Sequence, residues 1–494
     1  MSDILTQIVE QRQMDIQRLG VNFGFELPEK RQRPVHSFLC KKGVILEVKR
    51  ASPSKGDIAP ELNAGETARS YAEARATAIS CLTESNDFKG NLGDLIEVCK
   101  TMDAFEKETG ATPPAVLRKD FLTSIEEVEV SYRAGADAIL LIARILEKET
   151  LIKMAKTAAE YKMTSLVEVR SDEDLEKLSQ LVKAFTSENQ EDKKDYIVCG
   201  VNARDLSDFS IDLLKPCSLF SKIKSILGEN ARVVFESGIR TPQAANFAGS
   251  LGFTGLLLGE AAAKNPNARS ELVRAFVEAK ENKNAKFWKS SFERQNNFSK
   301  PLIKICGLTK AEDVIYADSL GADFLGFIFA EGFTRNVCGQ RFEKILPELQ
   351  KVKAKKVAVV TDLDSKEAKS AIEYVEQGIL DCLQFHGIPY QKVSEKLLSL
   401  PHYFVLTDKV QDLEAEAEKL FLMGEARFLQ DIKSHDYSKK YKLWLAGGIT
   451  PENVKELIDT FHPELIDISS GVEETVGKKD YKKLDLIFNI RKSL

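Results

Sequence analysis

The feature that most constrains this chain is a beat: a short run rich in Val, Ile and Leu, then a longer charged, amphipathic segment, over and over. Apolar runs of roughly four to eight residues suit strands buried on both faces, and the segments between them suit crossover helices. The first set of strands is expected near Val44–Lys49, Ala78–Thr83, Ala115–Lys119, Ala138–Ile142, Ser165–Val169, Ile197–Asn202, Arg232–Glu236 and Gly255–Gly259. After Ala275 comes VEAKENKNAKFWKSSFERQNNFSK, a polar, Lys- and Asn-rich stretch that reads as a helix running into a linker. The beat then restarts near Leu302–Cys306, Phe324–Phe329, Lys356–Thr361, Cys382–Phe385, Tyr403–Leu406, Arg427–Asp431, Lys442–Ala446 and Leu465–Ser469. Two sets of eight parallel-type strands predict an α/β chain of two consecutive (β/α)8 (TIM) barrels, because one open sheet could not hold so many.

Length points the same way. At 494 residues the chain is too long for one core, since single cores stop growing at about 250–300 residues. The expected domains are residues 1–275, a linker at 276–300, and residues 301–494. Internal similarity favours two copies of one architecture: AGADAILL (134–141) echoes LGADFLGF (320–327), and ESGIRTPQAANF (236–247) echoes AGGITPENVKEL (446–457).

The net charge of -5 offers no electrostatic footprint for nucleic acid or an anionic membrane. The 8 cysteines form no C-x-x-C pair, which suggests reduced thiols in a cytoplasm. The opening segment MSDILTQIVEQRQMDIQRLG is polar and lacks a signal-peptide core, and no run reaches the roughly 18 apolar residues of a membrane span. His36, His386, His402, His435 and His462 lack ligand spacing, so no metal or organic cofactor is implied. Of these, His386 on strand four is the one expected near a site, in a structural or loop-anchoring role.

Active sites of such barrels lie at the C-terminal ends of the strands, so charged residues there, against the apolar trend, mark a site. Strand one ends in Glu47 and Lys49, which alternate and point the same way. Strand three ends in Lys119, strand five in Glu168, strand six in Asn202 with Arg204 just after it, and strand seven in Glu236 and Ser237. Any one of these could be a structural ion pair. Together they form a rim of carboxylates and ammonium groups that shift one another's pKa values, as general acids and bases require. Ser237-Gly238 and Gly259-Glu260 follow strands seven and eight, where barrels place a phosphate on backbone N–H groups. Ser52, Ser54 and Lys55 in SPSKG could add donors from a third side.

ILEVKRASPSKG, LTESNDF, LRKDF, LVEV, GVNARDL and ESGI, in this order and spacing, resemble the indole-3-glycerol-phosphate synthase family over roughly residues 1–275. That resemblance implies closure and decarboxylation of a carboxyphenylamino-deoxyribulose phosphate to form the indole ring. It further implies Lys119 as the general acid that helps expel the ketone oxygen as water, and Glu168 as its partner acid/base. Glu47 and Lys49 would position and polarise the substrate. Ser52, Phe88, Asn202 and Arg204 would contact it, with Glu236 supporting that network, and Lys55, Ser237, Gly238 and Gly259 would hold the phosphate. Asp87, before Phe88, stands where the family usually has an aromatic residue.

In the second half, Cys306 stands at the mouth of strand one. Most single cysteines are small core hydrophobes, but a thiolate here could act as a base if neighbouring donors lower its pKa. Strand six ends in Asp431, strand seven in Ala446-Gly447-Gly448-Ile449, and strand eight in Asp467 before Ser469-Ser470-Gly471. KICGLT, QFHG, LAGGITPENV and IDISSGVE resemble phosphoribosylanthranilate isomerase over about residues 301–494, an enzyme that bacteria often fuse behind the synthase. The resemblance implies an Amadori rearrangement with Cys306 as base and Asp431 as acid. Arg335 would hold the anthranilate carboxylate, Asp467 would contact substrate, and Gly447, Gly448, Ser470 and Gly471 would bind phosphate.

Two departures stand out. Where the family has a long loop with GGTG after strand six, Asp431 is followed only by IKSHDYSKKY before KLWLAGG. A parallel crossover needs about a dozen residues or more, so a shortened β6–β7 connection without its helix is expected. Phe333-Thr334 also stand where the family carries a Ser near the arginine. Three readings follow from the sequence: a bifunctional tryptophan-pathway enzyme, a synthase with a worn or structural second barrel, and a sugar-phosphate binding or sensing protein. The Lys119–Glu168 pair speaks against mere binding. Partners are expected to be small phosphorylated anthranilates, with no nucleic acid or membrane, and the chain is expected to be a cytoplasmic monomer.

Overall fold

The computed structural model describes residues 4–53, 55–187, 191–205, 210–293, 300–438 and 440–494; Ser54 and residues 294–299 of the polar stretch lie outside these. The chain divides into two compact units, at Glu281 and Asn282.

In the first unit eight strands close into a parallel barrel: Gly43–Val48, Ala78–Leu82, Ala115–Lys119, Ala138–Ile142, Thr164–Val169, Ile197–Asn202, Val233–Glu236 and Gly255–Leu258. The last pairs with the first, Gly43 opposite Gly255. Inward-facing Ile45, Ala78, Leu117, Leu140, Leu166, Val198, Val234 and Leu257 fill the interior, so the barrel is a packed core. Before strand one, the helix Ile4–Leu19 buries Leu5 and Ile8 against that cluster, worth about 1.5–3 kcal/mol for each side chain. Its Arg12 is 4% exposed and pairs with Asp120 at 2.6 Å and with Glu127. A buried guanidinium without partners would be costly, so this double pair fixes the helix beside the residue that follows Lys119.

The second unit repeats the architecture with Leu302–Ile305, Phe324–Phe329, Lys355–Val360, Cys382–His386, His402–Thr407, Phe428–Asp431, Trp444–Ala446 and Leu465–Ile468. Leu302 opposite Leu465 closes it. Several expected strands run one residue further than the ladder does, for example to Lys49, Gly259, Cys306 and Ser469. At the mouth the backbone leaves the ladder to turn its side chains and N–H groups toward the site.

Between strands six and seven of this barrel no helix is present among the described residues. The short loop substitutes side-chain anchors. The Tyr437 hydroxyl donates to the Ala446 carbonyl at 3.0 Å, and its ring meets Phe461 edge-on at 5.2 Å. The Ser438 N–H donates to Gln430 Oε1 at 2.8 Å.

Part of the stretch read as linker carries a structural element of the second unit. The helix Lys283–Glu293 buries Ala285, Trp288 and Phe292, spaced three and four residues apart on one face. Trp288 lies 5.7 Å from Trp444, and the Arg427 guanidinium stands 4.7 Å from the Phe292 ring. Trp444 opens strand seven and Arg427 precedes strand six, so the helix covers the end of the barrel opposite its mouth. No helix among the described residues is long and apolar enough to cross a membrane.

Candidate active sites

Strand geometry brings the polar strand ends of the first barrel to one cavity. It is lined by Glu47, Lys49, Ser52, Lys55, Phe88, Lys119, Glu168, Asn202, Arg204, Ser237, Gly238 and Gly259, among others. The Lys119 ammonium lies 3.1 Å from Glu47 Oε2 and 3.5 Å from Glu236 Oε2, while Lys49 reaches Glu47 Oε1 at 3.3 Å. Burial works to raise the Glu47 carboxyl, but the two ammonium groups win and bring it down to about 2. Burial works to lower Lys119, and Glu47, Glu236 and Glu168 outweigh it, so its pKa is raised. Glu236 behaves oppositely to Glu47. Burial dominates, Lys119 is farther away, and Glu168 repels, so its carboxyl is raised to about 7. Two glutamates around one lysine are thus pushed apart in acidity, a recurring way to create an acid and a base in one site.

The walls divide by chemistry. Phe88 packs on Phe121 at 5.9 Å, and the Lys49 ammonium stands 5.1 Å from the Phe88 ring. Ile4, Leu5 and Ile8 of the amino-terminal helix extend this apolar side. Asp87 is not among the lining residues, and its N–H donates to Glu84 Oε2 at 2.8 Å as part of a turn. On the opposite side Ser237 and Gly238 both have left-handed backbone, φ 71 and 86, which turns successive N–H groups into one concavity. At Gly259 a Cβ would stand 2.6 Å from Glu47 Oε1, so only glycine lets that carboxylate reach the mouth.

The second barrel has a cavity lined by Cys306, Phe333, Gln384, His386, Asp431, Lys433, Gly447, Gly448, Asp467, Ser470 and Gly471, among others. Beneath Cys306 the fully buried Lys304 donates to Asp467 Oδ2 at 2.5 Å and to Gln384 Oε1 at 2.7 Å. Burial pushes the Cys306 thiol up, against the pull of Lys304 and Lys479. Burial also raises the Asp431 carboxyl, opposed by His386, and lowers the His386 imidazole, opposed by Asp431. Gly447 and Gly448 repeat the paired left-handed turn of the first barrel, with φ 101 and 63.

Comparison with known proteins fits this geometry. The family model for indole-3-glycerol phosphate synthase matches residues 5–275. The chain belongs to the indole-3-glycerol phosphate synthase family. The model for N-(5'phosphoribosyl)anthranilate (PRA) isomerase matches residues 303–490, the isomerase barrel. The chain is 33% identical to an indole-3-glycerol phosphate synthase of Shouchella clausii, over 51% of this chain and 92% of that protein. It is 28% identical to the tryptophan biosynthesis protein TrpCF of Haemophilus influenzae, covering 91% of this chain and 87% of that one. A multifunctional tryptophan biosynthesis protein of Phycomyces blakesleeanus is 27% identical over all of this chain and 70% of its own length. Both domains in this order make the chain a bifunctional enzyme of tryptophan biosynthesis, a lyase followed by an isomerase.

In the synthase barrel the residues singled out from the sequence line one cavity except Glu236, which is buried outside the lining and meets the site through Lys119. In the isomerase barrel one stands apart: Arg335 is not among the lining residues and makes a bidentate pair with Glu473, at 2.9 and 2.6 Å. His386, expected near the site in a structural or anchoring role, lines the cavity and interacts electrostatically with Asp431. Sequence reasoning missed Arg170, Lys304 and Lys479. Arg170 and Lys304 had a visible signal, each two residues from a chosen site residue on the same strand face. Lys479 did not: it comes from a two-residue strand far along the chain, and its ammonium donates to the carbonyls of Cys306 and Ser469 at 2.7 and 3.0 Å.

Proposed function

We propose that the first barrel converts 1-(2-carboxyphenylamino)-1-deoxyribulose 5-phosphate to indole-3-glycerol phosphate with loss of CO2 and water. The observation that carries this is the Lys119 ammonium held between Glu47 and Glu236 at the mouth. Ring closure turns a ketone oxygen into a leaving group, and a proton donor must meet it. Lys119 keeps its proton through the strength of its carboxylate neighbours and is placed to deliver it. Glu47 and Lys49 orient the reacting ring, Glu168 exchanges protons on the other side, and Phe88 walls the anthranilate. Ser52, Asn202, Arg204 and Glu236 hold the polar chain, and Lys55 with the turns at Ser237, Gly238 and Gly259 takes the phosphate.

In the second barrel the proposed reaction is the Amadori rearrangement of N-(5-phosphoribosyl)anthranilate. Asp431, its carboxyl raised by burial, protonates the ring oxygen, and the Cys306 thiolate removes the C2 proton. Asp467 contacts the sugar, and the turns at Gly447-Gly448 and Ser470-Gly471 hold the phosphate. Arg335 meets the anthranilate carboxylate by exchanging Glu473 for it. On this reading each barrel carries its own rim, and the chain works as a cytoplasmic monomer.

Assaying the purified chain with each substrate separately tests both halves. Turnover of both is expected. Synthase turnover alone would reduce the second barrel to a structural domain.

A further inference from the structure

Arg170 stands just past the fifth strand of the first barrel, two residues from Glu168, so both side chains leave the strand on the same face. Its side chain is 9% exposed and lines the synthase cavity. The guanidinium Nε donates to Glu168 Oε1 at 2.9 Å. The backbone is held as well, because the Arg170 N–H donates to Asp174 Oδ2 at 2.8 Å at the start of the next helix. Asp174 is itself buried and accepts a second N–H, from Ser171, at 3.2 Å. The guanidinium therefore sits on a fixed backbone and holds one carboxylate oxygen in one place, which leaves Oε2 of Glu168 for the cavity.

The other carboxylates of the rim are arranged differently. Glu47 is shared by two lysines. Glu236 lies 3.5 Å from Lys119 and feels Arg170 only electrostatically, and among the described residues neither of its oxygens makes a hydrogen bond. Among the three, Glu168 alone is held by an arginine, whose planar, always-charged fork cannot give up a proton. A carboxylate held this way keeps one oxygen fixed on the guanidinium and presents the other to the cavity as an acceptor.

We infer that Arg170 is a positioning residue for the synthase reaction, holding Glu168 in one orientation as the proton acceptor of the site. The inference rests on the reading of Glu168 proposed above and divides the labour within it. In the dehydration step the carbon–oxygen bond breaks and the oxygen leaves as water, taking its proton from Lys119. A neighbouring carbon gives its proton to Glu168 Oε2, and the electron pair of that carbon–hydrogen bond forms the ring double bond. One proton is supplied, one is taken, and nothing is oxidised.

The test compares Arg170→Met, Arg170→Lys, Glu168→Gln and the double variant Arg170→Met/Glu168→Gln, with kcat and KM measured for synthase turnover and folding checked by circular dichroism. Arg170→Met should lower kcat by about 10–100-fold with KM within about 3-fold. Arg170→Lys should recover part of that loss, and the double variant should be no slower than Glu168→Gln alone, because Arg170 acts through Glu168. A rise in KM at unchanged kcat would overturn the inference in favour of direct substrate binding. Additive losses in the double variant would overturn it too, by showing that Arg170 acts independently. If Glu168→Gln kept full activity, the proposed role of Glu168 itself would fall, an outcome distinct from the other two.

Discussion

The Lys119 ammonium, from strand three of the first barrel, lies 3.1 Å from Oε2 of Glu47 on strand one, with Glu47 buried and Lys119 partly buried at the mouth. Strand two separates them in the sheet, and the barrel's curvature brings them together over its axis. The pairing keeps the proton on the lysine and the charge on the glutamate.

Lys119→Met should therefore remove the donor while keeping the stem. Synthase turnover is expected to fall by about 10²–10⁴-fold, the usual share of a positioned acid, with isomerase turnover unchanged. Persistent indole formation would refute the acid assignment.

Glu236 offers a test by stability. Its carboxyl is raised to about 7 in the folded chain from an ordinary value of 4.5. Below pH 4.5 the group is protonated in both folded and unfolded states. As pH rises toward 7 the unfolded chain ionises first, so the folded state progressively loses relative stability, a cost on the order of 3 kcal/mol once above 7. Glu236→Gln lacks this dependence. Its urea unfolding midpoint should gain on the parent between pH 5 and pH 8, and parallel pH curves for the two would contradict the raised carboxyl.

On the proposed reading of the isomerase barrel the base is the thiolate form of Cys306, whose thiol is raised from 9.0 by burial. The thiolate fraction then grows about tenfold for each pH unit below that value. Isomerase kcat/KM should climb between pH 6 and 8, and Cys306→Ala should abolish turnover without touching the synthase. A flat profile, or an active alanine variant, would point to another base.

Trp288→Ala probes the helix beneath the second barrel. Trp288 is 2% exposed and packs on Trp444, so its truncation should cost about 3–5 kcal/mol. Urea unfolding followed by isomerase activity should shift to lower denaturant. A loss confined to synthase activity would mean that the helix serves the first barrel instead.

Much of this was legible in the chain itself. Continuous apolar runs specify strands buried on both faces, and their number specifies closure, because burial is a local property of each segment. The residues of the synthase rim were legible too. Glu47, Lys119, Glu168 and Glu236 each break an apolar run at or near its end, and although any one could be a structural ion pair, their convergence on one rim marks a site.

Contacts that join distant segments were decided only by the tertiary structure. Nothing in the spacing of Arg335 and Glu473 predicts their bidentate pair, and nothing in Lys479 predicts its hydrogen bonds to the Cys306 and Ser469 carbonyls. The polar composition of Lys283–Glu293 likewise concealed a face of Ala285, Trp288 and Phe292 that only the barrel end could bury. Acidity was decided last and in the same way. Glu47 and Glu236 are the same residue type at equivalent strand ends, yet one is lowered to about 2 and the other raised to about 7. The sequence determined that carboxylates would ring the mouth; distance to Lys119 and depth of burial, which exist only once the barrel closes, determined which of them holds a proton.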